Sequence, residues 1–155
     1  MIVSTIEPID EGVTFKSSDW PLHLTIVPVF TIKVDLNAFI NDLTSIASQF
    51  KPILISADEE AMFGPNHDRR VTLVHKSLEL QKFHDAIINL LKKHNATFNK
   101  SNYILSGYRP HITAQHNSYF DNEQRCKLSH INLVDRCPDG DAGKRRIICN
   151  IKIGK

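Results

Sequence analysis

The chain has 155 residues, 41% apolar and 23% charged, the profile of an ordinary globular protein long enough to bury one core. A net charge of +2 with a pI near 8.4 is too mild for a protein that clamps long nucleic acid through many phosphates. It leaves short anions and nucleic-acid ends as partners. No run approaches the roughly 20 apolar residues of a membrane span, and the N-terminus shows no basic segment ahead of an apolar one. Cys126, Cys137 and Cys149 are odd in number and form no C-x-x-C pair. These features predict a cytoplasmic chain with no membrane contact, no disulfide framework and no zinc site.

Taken in order, Ile2 to Ile6 reads as a short strand ending before Pro8, and Leu22 to Phe30 as a second, strongly apolar one. Pro28 weakens the end of the latter because it cannot donate to a ladder. Asp35 offers a helix N-cap, and Leu36, Phe39, Ile40, Leu43, Ile46, Ala47 and Phe50 follow at helical spacing. Pro52 stops that helix, and Ile53 to Ser56 returns as a strand. Phe63 to Asp68 reads as a loop. Arg70 to His75 is the next strand, after which Ser77 caps a second helix running to about His94, buried through Leu80, Phe83, Ile87, Leu90 and Leu91. Lys92, Lys93 and His94 suit its negative end, and Asn95 can terminate it. Tyr103 to Leu105 and His111 to Gln115 look like strands. Leu128 to Val134 and Arg146 to Ile153 make a last pair, joined by the turn-rich segment 138–143.

The order strand, helix, strands, helix, strands predicts an α+β protein, two long helices covering mostly antiparallel sheet. No linker or low-complexity tract divides it, so residues 1–155 read as a single domain. Basic residues gather at Arg69-Arg70, Lys92-Lys93 and Lys144-Arg145-Arg146, each read first as a solvated face.

The tripeptide His-x-[Ser/Thr] occurs four times, where eight histidines should give roughly one match by chance. By itself it carries little weight, and context separates two of the four. His23-Leu24-Thr25 and His111-Ile112-Thr113 lie inside predicted strands, each with an apolar middle residue and a nearby proline, Pro21 or Pro110. In a strand, residues i and i+2 share a face, so imidazole and hydroxyl project together while Leu24 and Ile112 face the opposite layer. His75-Lys76-Ser77 instead straddles a strand end and a helix cap, and His116-Asn117-Ser118 falls where a strand runs into a polar loop.

The pair suits phosphodiester cleavage. One group must activate the attacking oxygen and another must protonate the leaving oxygen. Imidazole, with an ordinary pKa of about 6.5, can do either near neutrality. Two threonine hydroxyls and an imidazolium would supply fixed donors to the phosphoryl oxygens. Such a set needs no cofactor or metal, and no metal-ligand spacing appears among the histidines.

Two His-x-Thr motifs about ninety residues apart, the second preceded by proline, resemble the 2H phosphoesterase superfamily, which includes the so-called 2′-5′ RNA ligases, or RNA 2′,3′-cyclic phosphodiesterases. The likeness runs from about Pro21 to Val134. It implies a bilobal fold: two mostly antiparallel sheets facing a central cleft, helices on the outside, and one histidine from each lobe. It also implies that His23, Thr25, His111 and Thr113 are the catalytic set. Bacterial members of the RNA-ligase branch often follow the first motif with Arg/Lys-Phe-Leu-Gly, where this chain has Val27-Pro28-Val29-Phe30. They often carry Arg five residues after the second histidine, where this chain has His116. The resemblance therefore implies this chemistry with an altered phosphate-recognition shell.

Tyr108 and Arg109, adjoining the second motif, are candidates to touch base or phosphate, as is His116. Phe30, Phe63 and Trp20 could stack a base, although each residue type is more often core. His67, His84, His94 and His130 read as surface or core. The expected partner is an RNA end or nucleotide bearing a cyclic phosphate, met by a monomer with no protein partner. Competing expectations are a hydrolase of cyclic or 2′-5′-linked oligonucleotide signals and a non-catalytic nucleotide- or RNA-binding module of the same fold.

Overall fold

The computed structural model describes residues 1–116 and 118–155. Asn117, the middle residue of the fourth tripeptide, lies outside them. Short β1 (Ile2–Thr5) and β2 (Thr14–Lys16) precede β3 (His23–Val27), where Pro28 ends the first motif strand. Beyond the proline, β4 (Phe30–Thr31) leaves for a separate two-stranded sheet with β7 (Thr97–Phe98).

Helix α1 (Leu36–Ala47) starts where Asp35 accepts the Ala38 N–H at 2.8 Å, a cap worth about 1 kcal/mol. It stops three residues short of Phe50, and the Gln49 and Phe50 N–H groups turn back to the Ile46 and Ala47 carbonyls. Ser77 caps α2 (Leu78–Lys93) through the Leu80 N–H, and the chain leaves the helix through Asn95 at φ 54°, the left-handed region asparagine tolerates.

Between and after the helices come β5 (Ile53–Phe63), β6 (Arg69–Val74), β8 (His111–Thr113), β9 (Arg125–Leu128), β10 (His130–Asp135) and β11 (Lys144–Lys152). With β1, β2 and β3 they form a nine-stranded antiparallel sheet in the order β2-β11-β10-β1-β3-β8-β6-β5-β9. The α+β class holds. Its two halves, each bearing one motif, run together at the centre, where Leu24 on β3 stands opposite Ile112 on β8.

Both helices lie on the same face of this sheet and touch each other, and just beyond the end of α1 the Phe50 ring lies 4.9 Å from Phe83 of α2. Leu24, Ile26 and Ile112 point to that side and are fully buried with Phe39, Leu43, Phe83, Ile87 and Leu91. Strand alternation then commits the neighbouring side chains to the other face. Among the described residues, no helix is long and apolar enough to cross a membrane.

Three further elements differ from the sequence expectation. The strand at Ile53 does not stop at Ser56. Residues 53–56 pair with β9, a bulge follows between Ala57 and Glu60, and the rest pairs with β6 as an arm reaching Phe63. Acidic Asp58, Glu59 and Glu60 hide this arm from any apolar-pattern reading. Residues Tyr103 to Leu105 are not a strand but part of two 3-10 turns, Ser101–Tyr103 and Leu105–Gly107. Gly107 is required there, because a Cβ would fall 2.0 Å from the Asn102 carbonyl oxygen. Finally, the expected strand Leu128 to Val134 breaks at Ser129. β9 lies at one end of the sheet order, while β10 sits between β1 and β11 in the other half.

Candidate active site

The join between β3 and β8 builds the site. With Leu24 opposite Ile112, antiparallel alternation sets His23 opposite Thr113 and Thr25 opposite His111, all on the face away from the helices. Direct neighbours of this kind lie about 5 Å apart at Cβ and diagonal ones roughly 7–8 Å. The two histidines form one diagonal and the two threonines the other. All four side chains are half-buried, between strand neighbours that are fully buried.

Each imidazole is held the same way. His23 Nδ1–H donates to the Pro21 carbonyl at 2.8 Å, and His111 Nδ1–H donates to the Arg109 carbonyl at 2.8 Å. A carbonyl can only accept, so both rings carry their proton on Nδ1 when neutral and keep Nε2 for a ligand. An aromatic ring backs each one: Trp20 lies 4.5 Å from the His23 ring, and Phe63 lies 4.8 Å from the His111 ring. Burial pushes both pKa values below the ordinary histidine range, against the raising effect of the carbonyl bond. The charge of His111 lowers His23 further, and that of Arg109 lowers His111.

Two imidazoles whose Nε2 atoms have no hydrogen-bond partner among the described residues, each beside a hydroxyl, can give and take a proton at a single small anion. The 2′-5′ RNA ligase superfamily model matches residues 6–135. The chain belongs to that superfamily. It is the 2H phosphoesterase superfamily, whose members are phosphoesterases and ligases, so membership supports phosphoryl transfer in general with RNA or nucleotides as substrates. No curated protein matches the chain.

The structure sorts the remaining site candidates of this 2H phosphoesterase unevenly. Arg109 stands at the second motif, exposed, with its guanidinium 4.7 Å from the Phe63 ring centre. Phe63 and Trp20, named as base stackers or core, instead lie against the two histidines. Phe30 is elsewhere: on β4 it packs 6.3 Å from Phe39 and 6.4 Å from Phe98, because Pro28 turns the chain away before reaching it. His116 leaves the strand face on a loop at φ 47° and stands 3.5 Å from Asp19, both exposed. There it borders a groove of about 520 Å³ shared with Trp20 and Tyr119.

Tyr108 is on the wrong face for a substrate contact. It is 5% exposed, its hydroxyl donates to the Thr25 carbonyl at 3.0 Å, and its ring stacks on His84 at 4.0 Å. His75 is exposed at a strand end and Ser77 is occupied as a cap, as the context of that tripeptide indicates. The two carbonyls that orient the histidines carry no signal in the sequence, since every residue has one. Among the described residues no cluster of three or more His, Cys, Asp or Glu side chains could hold a metal ion.

Proposed function

We propose that the chain is a metal-independent phosphodiesterase that hydrolyses a 2′,3′-cyclic phosphate at an RNA end or on a nucleotide. The observation that carries this reading is the matched pair of imidazoles, each anchored at Nδ1 and offering Nε2 on one face beside a threonine. The neutral imidazole takes a proton from water as its oxygen attacks phosphorus. The other, protonated, gives its proton to the leaving ribose oxygen as the P–O bond breaks, and a phosphomonoester remains. Thr25 and Thr113 donate to the phosphoryl oxygens, and Arg109 supplies positive charge beside His111.

Lowered pKa values leave both histidines mostly neutral at rest, so the bound phosphate has a second task. Its negative charge raises the pKa of the imidazole next to it and restores the acid. Every proton in this scheme moves through the two imidazoles, and no step calls on a divalent ion.

The test is turnover with and without EDTA against 2′,3′-cyclic mononucleotides, cyclic-phosphate-ended RNA, 3′,5′-cyclic nucleotides and 2′-5′-linked oligonucleotides. Cleavage of the 2′,3′-cyclic substrates, undiminished by chelation, is expected. Loss on chelation with recovery on adding one specific metal would overturn the mechanism. Cleavage confined to the 2′-5′ linkage would move the same chemistry to another substrate.

A further inference from the structure

β3 and β8 share one paired position, Leu24 with Ile112, so their ladder alone holds the two motifs weakly in register. A second connection runs behind the sheet, on the helix-covered face. Tyr108, three residues before His111, donates its hydroxyl to the carbonyl of Thr25 in the first motif at 3.0 Å. Its ring lies flat on His84 of α2, 4.0 Å between centres and 3° between planes.

His84 is fully buried and bonded at both nitrogens. Its Nδ1–H donates to the Ile26 carbonyl on β3 at 2.6 Å, and its Nε2 accepts the Leu105 N–H at 2.9 Å. A carbonyl must accept and an amide must donate, so the ring is neutral with its proton on Nδ1. Leu105 itself sits at φ 54°, a costly conformation for leucine, and opens the turn whose carbonyl receives the Tyr108 N–H at 3.0 Å. One residue further on, the Arg109 carbonyl sets the tautomer of His111.

We infer that His84 and Tyr108 form a brace that fixes the separation of the two His-x-Thr strands and, through the Arg109 carbonyl, the orientation of His111. Both are positioning residues; neither reaches the face that bears the motifs. The inference rests on the acid–base reading of the histidine pair. The brace has a definite chemical requirement, one donor and one acceptor on a flat ring. Protonation of His84 would set two N–H groups against each other at Leu105. Asp85 and Lys76 are the charged groups that act on His84, in opposite directions, and burial keeps the ring neutral.

The experiment compares Tyr108→Phe, His84→Gln and His84→Leu with the unaltered chain, using circular dichroism melts to confirm folding. Tyr108→Phe should lower kcat about tenfold with KM little changed, the scale of one lost hydrogen bond acting on orientation. His84→Gln, which can still donate and accept, should retain more activity than His84→Leu. Nitrogen-15 NMR of the histidine rings should show the Nδ1–H form of His111 giving way to mixed tautomers in Tyr108→Phe. A raised KM at constant kcat would make Tyr108 a substrate contact and overturn the brace. Folded variants with unchanged kcat and unchanged His111 tautomer would also overturn it. If the unaltered chain cleaves no phosphodiester, the acid–base reading fails, while the NMR readout still judges the brace.

Discussion

The two motifs share a plan and differ in surroundings. Each histidine donates Nδ1–H to the carbonyl two residues earlier and lies against an aromatic ring. At His23 the ring is Trp20, itself edge-on to Phe15 at 5.1 Å on the segment that returns from β2. No cation is among the groups that shift His23 apart from His111 across the strand pair. At His111 the ring is Phe63, delivered by the bent β5 arm, and Arg109 lies over it with its charge open to solvent. In the proposed mechanism, like anchoring with unlike neighbours lets two copies of one side chain take different proton roles. The second motif carries the local positive charge, and the first is set in the more enclosed position.

The largest effects are expected at the imidazoles themselves. His23→Ala and His111→Ala should each lower turnover by at least about 10²-fold, and the double variant should lose little more, because the pair acts as a unit. Additive losses measured in the double variant would show two independent groups instead. Thr25→Ala and Thr113→Ala should cost less, about 1–3 kcal/mol each in kcat/KM, the worth of one hydrogen bond to a charged oxygen.

The pH dependence should separate the two histidines. With both pKa values pushed down by burial, the free enzyme holds one proton between the two rings only on the acid side of the ordinary value. The kcat/KM profile should therefore be a bell with its maximum below about pH 6.5, its limbs belonging to the coupled pair. Trp20→Ala admits water to His23 and Phe63→Ala admits it to His111, so each should move a limb upward, and unequal movement assigns the limbs. A kcat/KM that climbs steadily to pH 8 would contradict the direction of both shifts. Smallest of all, His75→Ala should stay within about twofold of the parent chain, as expected of an exposed side chain off the site.

Much of the scaffold was legible because it is written in local terms. The helix starts at Asp35 and Ser77 follow from side chains that cap their own next turn, and the faces of both helices follow from spacing. The four motif side chains share a face because a strand alternates. Elements that depend on distant partners were hidden. The β5 arm is acidic and becomes a strand through β6, and Ser129 divides what reads as a single strand, Leu128 to Val134, between opposite halves of the sheet. Phe30 looked like a neighbour of the first motif by number, yet Pro28 sends it to another sheet. Tyr108 adjoins the second motif in the chain and faces the opposite way.

Local sequence encodes the α+β class, the helix boundaries near their caps, and which two of four His-x-Ser/Thr tripeptides sit on strands with their polar side chains aligned. These are properties of neighbouring residues, set by periods of two and 3.6. Long-range packing sets the pairing of the two motif strands with each other, the carbonyl that holds each ring, and the link that His84 and Tyr108 make between them from behind. Those outcomes depend on contacts between residues tens of positions apart, where burial and hydrogen-bond satisfaction across the whole core, rather than local preference, select the arrangement.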